Sequence, residues 1–141
     1  MPRLLALAAL AALAAGCTTT APADTSGPRD APNRAALVGR WGMEAILDQG
    51  ADVSDEHNPA GDRYIELYAD GTFESGGQPY GRNTGRWTYT PTRRELFIDS
   101  NLGPEDDSRW VVTLRGGDVM EWGGTGSAFA RRFRIVSRRA D

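Results

Sequence analysis

At 141 residues with a formal net charge of −3, the chain has room for one small domain plus flanking segments, and its acidity argues against a nucleic-acid partner. All sixteen basic residues are arginine. A single cysteine excludes an internal disulfide, and the only histidine, His57, has no Gly-x-Ser-x-Gly elbow to serve.

Met1-Pro2-Arg3 leads into an uninterrupted Leu/Ala run from Leu4 to Ala15, followed by Gly16-Cys17. A positive start, an apolar run of roughly 7–15 residues and small residues at its end make an export signal. The run falls short of the ~20 residues a transmembrane helix requires, and it has no amphipathic face to pack in a core. Leu13-Ala14-Ala15-Gly16-Cys17 resembles the lipobox of bacterial lipoproteins. The resemblance implies cleavage after residue 16 and lipidation of Cys17 as the new N-terminus. With Thr18 rather than Asp next to the cysteine, it also implies sorting to the outer membrane of a Gram-negative cell, with the domain facing the periplasm. A lone thiol in an exported chain suits an attachment point, and two or more acyl chains anchor stably where one binds only marginally. Residues 17–34 are rich in Thr, Ala, Pro, Asp and Ser without apolar periodicity, and read as a flexible linker spanning on the order of 25 Å. Residues 35–141 form the single domain.

That domain reads as all-β. Leu37 to Leu47 alternates, with Leu37, Trp41, Met43, Ala45 and Leu47 on one face and Arg40 and Glu44 on the other. A helix there would carry Gly39 and Gly42 at about 1 kcal/mol each. Arg63 to Tyr68 puts Ile65 and Leu67 in phase; Asp70-Gly71 turns the chain, and Thr72 to Ser75 returns. Further strands follow at Gly85–Thr90, Glu95–Asp99, Arg109–Leu114, Val119–Trp122 and Phe129–Val136, about eight in all. No segment is suited to a parallel crossover helix, so the expectation is an up-and-down antiparallel meander closed into a small barrel, with an open or two-layer sandwich as the alternative. Turns near 69–71, 91–94 and 116–118 are tight; connections near 48–61, 76–84, 100–108 and 123–128 are longer. In a meander alternate connections share an end, so the tight turns and the linker fall at one end and the long loops at the other.

Gly39-Arg40-Trp41 at the start of the first strand resembles the Gly-x-Trp motif of lipocalins, and the order of pieces from Leu37 to Val136 looks like the small lipocalin-like domains of bacterial lipoproteins. The resemblance implies a Trp41 packed at the closed end of an eight-stranded barrel under a late arginine, Arg138 or Arg139. It implies a non-enzymatic module for a small hydrophobic or amphipathic ligand. The alternative is a protein-interaction module, an inhibitor or envelope assembly factor with a solid core, acting through its longer loops.

The residues themselves point the same way. His57 stands in a loop among Asp52, Asp55 and Glu56, which reads as a solvated loop rather than a catalytic site. The acidic clusters at 52–56 and 105–107 read as solvated charge runs, and Asp99-Ser100-Asn101 lacks the third ligand and the glycine of a calcium loop, so neither a metal nor another cofactor is expected. Trp41, Phe73, Trp87, Tyr89, Trp110, Trp122 and Phe133 share the inward phase, leaving open whether they fill the barrel or line a pocket. Arg131 falls in phase with Phe129, Phe133 and Ile135, which points it inward, where a guanidinium needs a carboxylate or a ligand anion. In the 76–84 loop, Tyr80 and Arg82 offer a ring and a bidentate donor beside an inward Trp87. Tyr80, Arg82, Trp87 and Arg131 are the ligand-binding candidates, in a protein expected to be monomeric.

Replacing Cys17 by Ser should abolish fatty-acid labelling and release the protein from the membrane fraction. Labelled, membrane-bound protein in that variant would rule out the lipid anchor.

Overall fold

Each tight turn returns the chain against the strand it has just left, and the pairing runs on without interruption until the last strand meets the first. The computed structural model describes residues 31–141; Cys17, the apolar run before it and most of the linker lie outside the described residues. A single helical turn, α1 (Arg34–Leu37), precedes β1 (Gly39–Asp48). There follow β2 (Ala51–Asp52), α2 (Ser54–His57), β3 (Tyr64–Leu67), β4 (Thr72–Gly76), β5 (Asn83–Thr90), β6 (Glu95–Ser100), β7 (Ser108–Arg115), β8 (Val119–Thr125) and β9 (Phe133–Arg139). From β3 to β9 every neighbour pairs antiparallel with the next, and β1 pairs with both β3 and β9. The two-residue β2 folds back on the end of β1. The result is a closed eight-stranded up-and-down barrel, not a sandwich, and closure pairs the edges that an open sheet would expose.

The register places the connections. Gly39 pairs with Leu67, Trp41 with Arg139 and Val119 with Arg138, while Thr90 pairs with Glu95, so the start of β1, the end of β9 and all three tight turns share one end. The 49–63, 77–82, 101–107 and 126–132 connections lie at the other. At the tight-turn end, Trp41, Leu67, Trp87, Leu96, Val112 and Met120 are buried almost completely. The Trp41 indole donates to the Leu37 carbonyl at 2.9 Å, so α1 folds across the opening as a plug. Arg139, not Arg138, covers the ring: its guanidinium carbon sits 4.2 Å from the Trp41 centroid, and its nitrogens donate to the carbonyls of Val38 and Ala36 at 2.8 and 2.7 Å. Arg138 turns outward to Glu44 and Asp118. A second arginine, Arg34, lies over Trp87 at 4.1 Å and donates to the Ala69 carbonyl.

Two expectations about phase are corrected. A bulge between Met43 and Ala45 inserts an extra residue into β1, so Trp41 and Ile46 are the buried positions rather than Trp41, Ala45 and Leu47. Leu37 is buried, but from α1 and not from the strand. The last strand begins at Phe133; residues 130–132 form a 3₁₀ turn, which carries Arg131 outward into solvent instead of into the barrel.

Truncating a buried tryptophan costs about 3–5 kcal/mol against a total stability of roughly 5–15 kcal/mol for a small domain. Trp41→Ala should therefore leave the barrel close to unfolding at 25 °C, read as a large fall in the denaturation midpoint. A midpoint that hardly moves would contradict the plug.

Candidate functional site

Along most strands the inward residues shrink toward the long-loop end. β5 runs from Trp87 to Gly85, β4 from Phe73 to Ser75, β6 from Ile98 to Ser100, β7 from Trp110 to Ser108 and β8 from Trp122 to Gly124. At Gly85 a Cβ would stand 2.0 Å from the Asp99 carbonyl oxygen and 2.8 Å from the Phe73 ring, so a larger residue is excluded there by contact. The taper leaves a cavity of about 260 Å³ open at this end. Its floor is apolar, made by Met43, Ile65, Phe73, Trp110, Trp122 and Ile135, and its rim is polar, with Arg63, Tyr80, Asn83, Asp106 and Ser108. Trp110 meets Trp122 edge to face at 6.1 Å and donates its indole N–H to Ser108 Oγ at 2.9 Å. The Trp122 indole N–H is buried with no acceptor among the described residues.

Two connections build the rim. Asn58 is almost buried: its amide nitrogen donates to the Met43 carbonyl and its amide oxygen accepts the Arg63 N–H, both at 3.0 Å, which fixes the backbone of Arg63 at the mouth. From the facing loop, Gly77 packs so closely that a Cβ would lie 2.5 Å from Arg63 Cα, and its φ of +105° suits glycine. Tyr80 then reaches back. Its ring lies under the Arg63 guanidinium at 4.4 Å, and its hydroxyl lies 2.6 Å from His57 Nδ1. The His57 and Tyr80 rings are nearly parallel, and Phe133 meets His57 edge-on at 6.1 Å. Arg63 donates to the His57 carbonyl at 3.0 Å, and burial draws its pKa below the ordinary arginine value, with Tyr80 acting in the opposite direction.

Of the four binding candidates read from sequence, the structure brings only Tyr80 to the cavity. Arg82 points outside the barrel and clasps Glu74, which also accepts from the Tyr64 hydroxyl; these bonds hold the Glu74 carboxyl below its ordinary pKa. Trp87 is inward but at the opposite end, donating to the Tyr68 carbonyl at 2.9 Å, because four residues of strand at about 3.3 Å each separate it from Asn83. Arg131 is exposed on its turn. Sequence reasoning passed over Arg63 and the mouth-side placement of Trp110 and Trp122, and it read His57 as part of a solvated loop where the structure packs it against Tyr80 and Phe133. Among the described residues no group of three or more His, Cys, Asp or Glu could hold a metal ion, and no helix is long and apolar enough to cross a membrane.

Among solved structures, a DUF4847 family protein from Bacteroides vulgatus has a similar fold, with a TM-score of 0.53 at 15% identity, covering 74% of this chain and 96% of that one. At this identity the likeness is one of fold. No family model matches the sequence, and no curated protein matches it.

Of the four tryptophans, Trp41, Trp87 and Trp122 are buried to 3% exposure or less, and Trp110 stands half-buried in the cavity. Acrylamide quenching of the native protein should therefore be dominated by Trp110, and Trp110→Phe should remove most of the quenchable fluorescence. Undiminished quenching in that variant would mean that solvent does not enter the mouth.

Proposed function

We propose that this protein is a lipid-anchored lipoprotein of the bacterial cell envelope, held at the outer membrane through Cys17, whose lipocalin-like barrel binds one small hydrophobic or amphipathic molecule in the periplasm without transforming it. One observation carries the reading: a barrel plugged at one end opens at the other into a cavity with an apolar floor and a polar rim. Ligand sites have this division, apolar walls for affinity and a few polar groups for orientation. The position of Arg139 over Trp41 agrees with the lipocalin resemblance, and the Gly16-Cys17 junction supports the anchor. The chain enters the barrel at the plugged end, so a tether from Cys17 leaves the mouth pointing away from the membrane. His57 is engaged with Tyr80, an arrangement suited to shaping a rim rather than activating a nucleophile.

A second reading, a protein-interaction module, is favoured by the apolar side chains displayed around the mouth. Phe129 is 66% exposed, Leu102 59% and Tyr80 58%, and a further groove of about 570 Å³ runs between the 101–107 and 126–132 connections beside Trp110.

Mass spectrometry of an organic extract of the natively purified protein separates the two. A bound small molecule should be released in near one-to-one amount, and Ser75→Phe, which fills the cavity from its wall, should lose it while keeping the fold. Absence of any species, or its retention in Ser75→Phe, would favour the protein-interaction reading.

A further inference from the structure

The ion pairs of this barrel are on its outside. Arg40, Arg82, Arg109, Arg115, Arg132, Arg134 and Arg138 each meet a carboxylate, and all are between 42% and 71% exposed. Arg63 reverses the pattern. It is more sheltered, it lines the cavity mouth, and no carboxylate lies within ion-pair distance of it among the described residues. Its one acceptor is the His57 carbonyl, which leaves four of its five N–H donors without a protein acceptor among the described residues. Withdrawing a guanidinium from water without an anion is unfavourable, and the Asn58 clamp and the close approach of Gly77 hold the backbone of Arg63 at the mouth.

We propose, building on the binding function inferred above, that the cavity takes a medium-chain anionic amphiphile, with its carboxylate against Arg63 at the mouth and its chain running down between Met43, Ile65, Phe73 and Trp110. The cavity is small, about 260 Å³, and open at the mouth, which favours a medium-length chain over a long-chain lipid. The ring of Tyr80 stacks against the guanidinium at 4.4 Å, and the flat fork of arginine suits a carboxylate. Asp106 faces the same cavity, so a cationic amphiphile is the competing occupant.

Three probes of equal length decide between them: octanoate, 1-octanol and octylamine, titrated against the full chain in lipid nanodiscs with empty nanodiscs as blank, read by tryptophan fluorescence. Octanoate should bind at least about tenfold more tightly than 1-octanol, the size expected for hydrogen bonds to a charged group. Arg63→Gln should erase that preference, bringing octanoate down to the affinity of 1-octanol. The comparison in the unaltered protein stands even if the variant misfolds. Equal affinity for acid and alcohol, or a preference for the amine, would overturn the anion assignment and leave the apolar cavity as a binding site. No saturable response to any of the three would overturn both.

Discussion

The contact on which the rest depends is the Arg139 guanidinium laid over the Trp41 ring. An arginine over an indole contributes about 0.5–2 kcal/mol, and hydrogen bonds to a charged group about 1.5–3 kcal/mol each. Arg139 combines both kinds, because its nitrogens reach the carbonyls of Ala36 and Val38 while its plane lies on the ring, and its Nε approaches the Gly117 carbonyl at 3.3 Å. The last strand, the first strand, the α1 turn and the 116–118 turn are thereby held at one point. The barrel acquires a floor, and the space above it becomes a blind cavity instead of a channel.

The opposite end is shaped by what is missing from its side chains. Glycine and serine occupy inward positions of β4 to β8 on the way to the mouth, and at Gly124, as at Gly85, neighbouring backbone takes the place of a Cβ: the Ala130 carbonyl oxygen would lie 1.9 Å from it. The large rings are spent lower down. A core that packs densely throughout would gain stability, whereas this one leaves Trp110 half-buried at the cavity and the Trp122 N–H unpaired among the described residues. The packing deficit is thereby confined to the open end, where the proposed ligand would sit.

Much of the architecture was legible. Period-two alternation marked the strands, Asp70-Gly71 and Gly116-Gly117 marked turns, and counting connections put the tight turns together. The bulge at 43–45 was not, since one inserted residue leaves a run of Gly, Met, Glu and Ala compatible with either phase. Phe129 satisfied the alternation of a strand it does not join, because residues 130–132 coil before pairing begins. Phase also says which way a side chain points but nothing of its height in the barrel, which is how Trp87 was assigned to the wrong end. Arg63 stood unremarked at a strand boundary: what holds it in the mouth is Asn58, five residues upstream, and a glycine fourteen residues downstream, and neither leaves a local signal.

Both ends of the described chain leave from the plugged side, with the Ala140 N–H donating to the Arg40 carbonyl at 2.8 Å beside the start of β1. Any polypeptide continuing beyond either end therefore departs behind the floor. For protein engineering this gives the barrel a handle at the back: a surface, a reporter domain or a second barrel can be attached through either terminus, or through both in series, on the side opposite the open mouth.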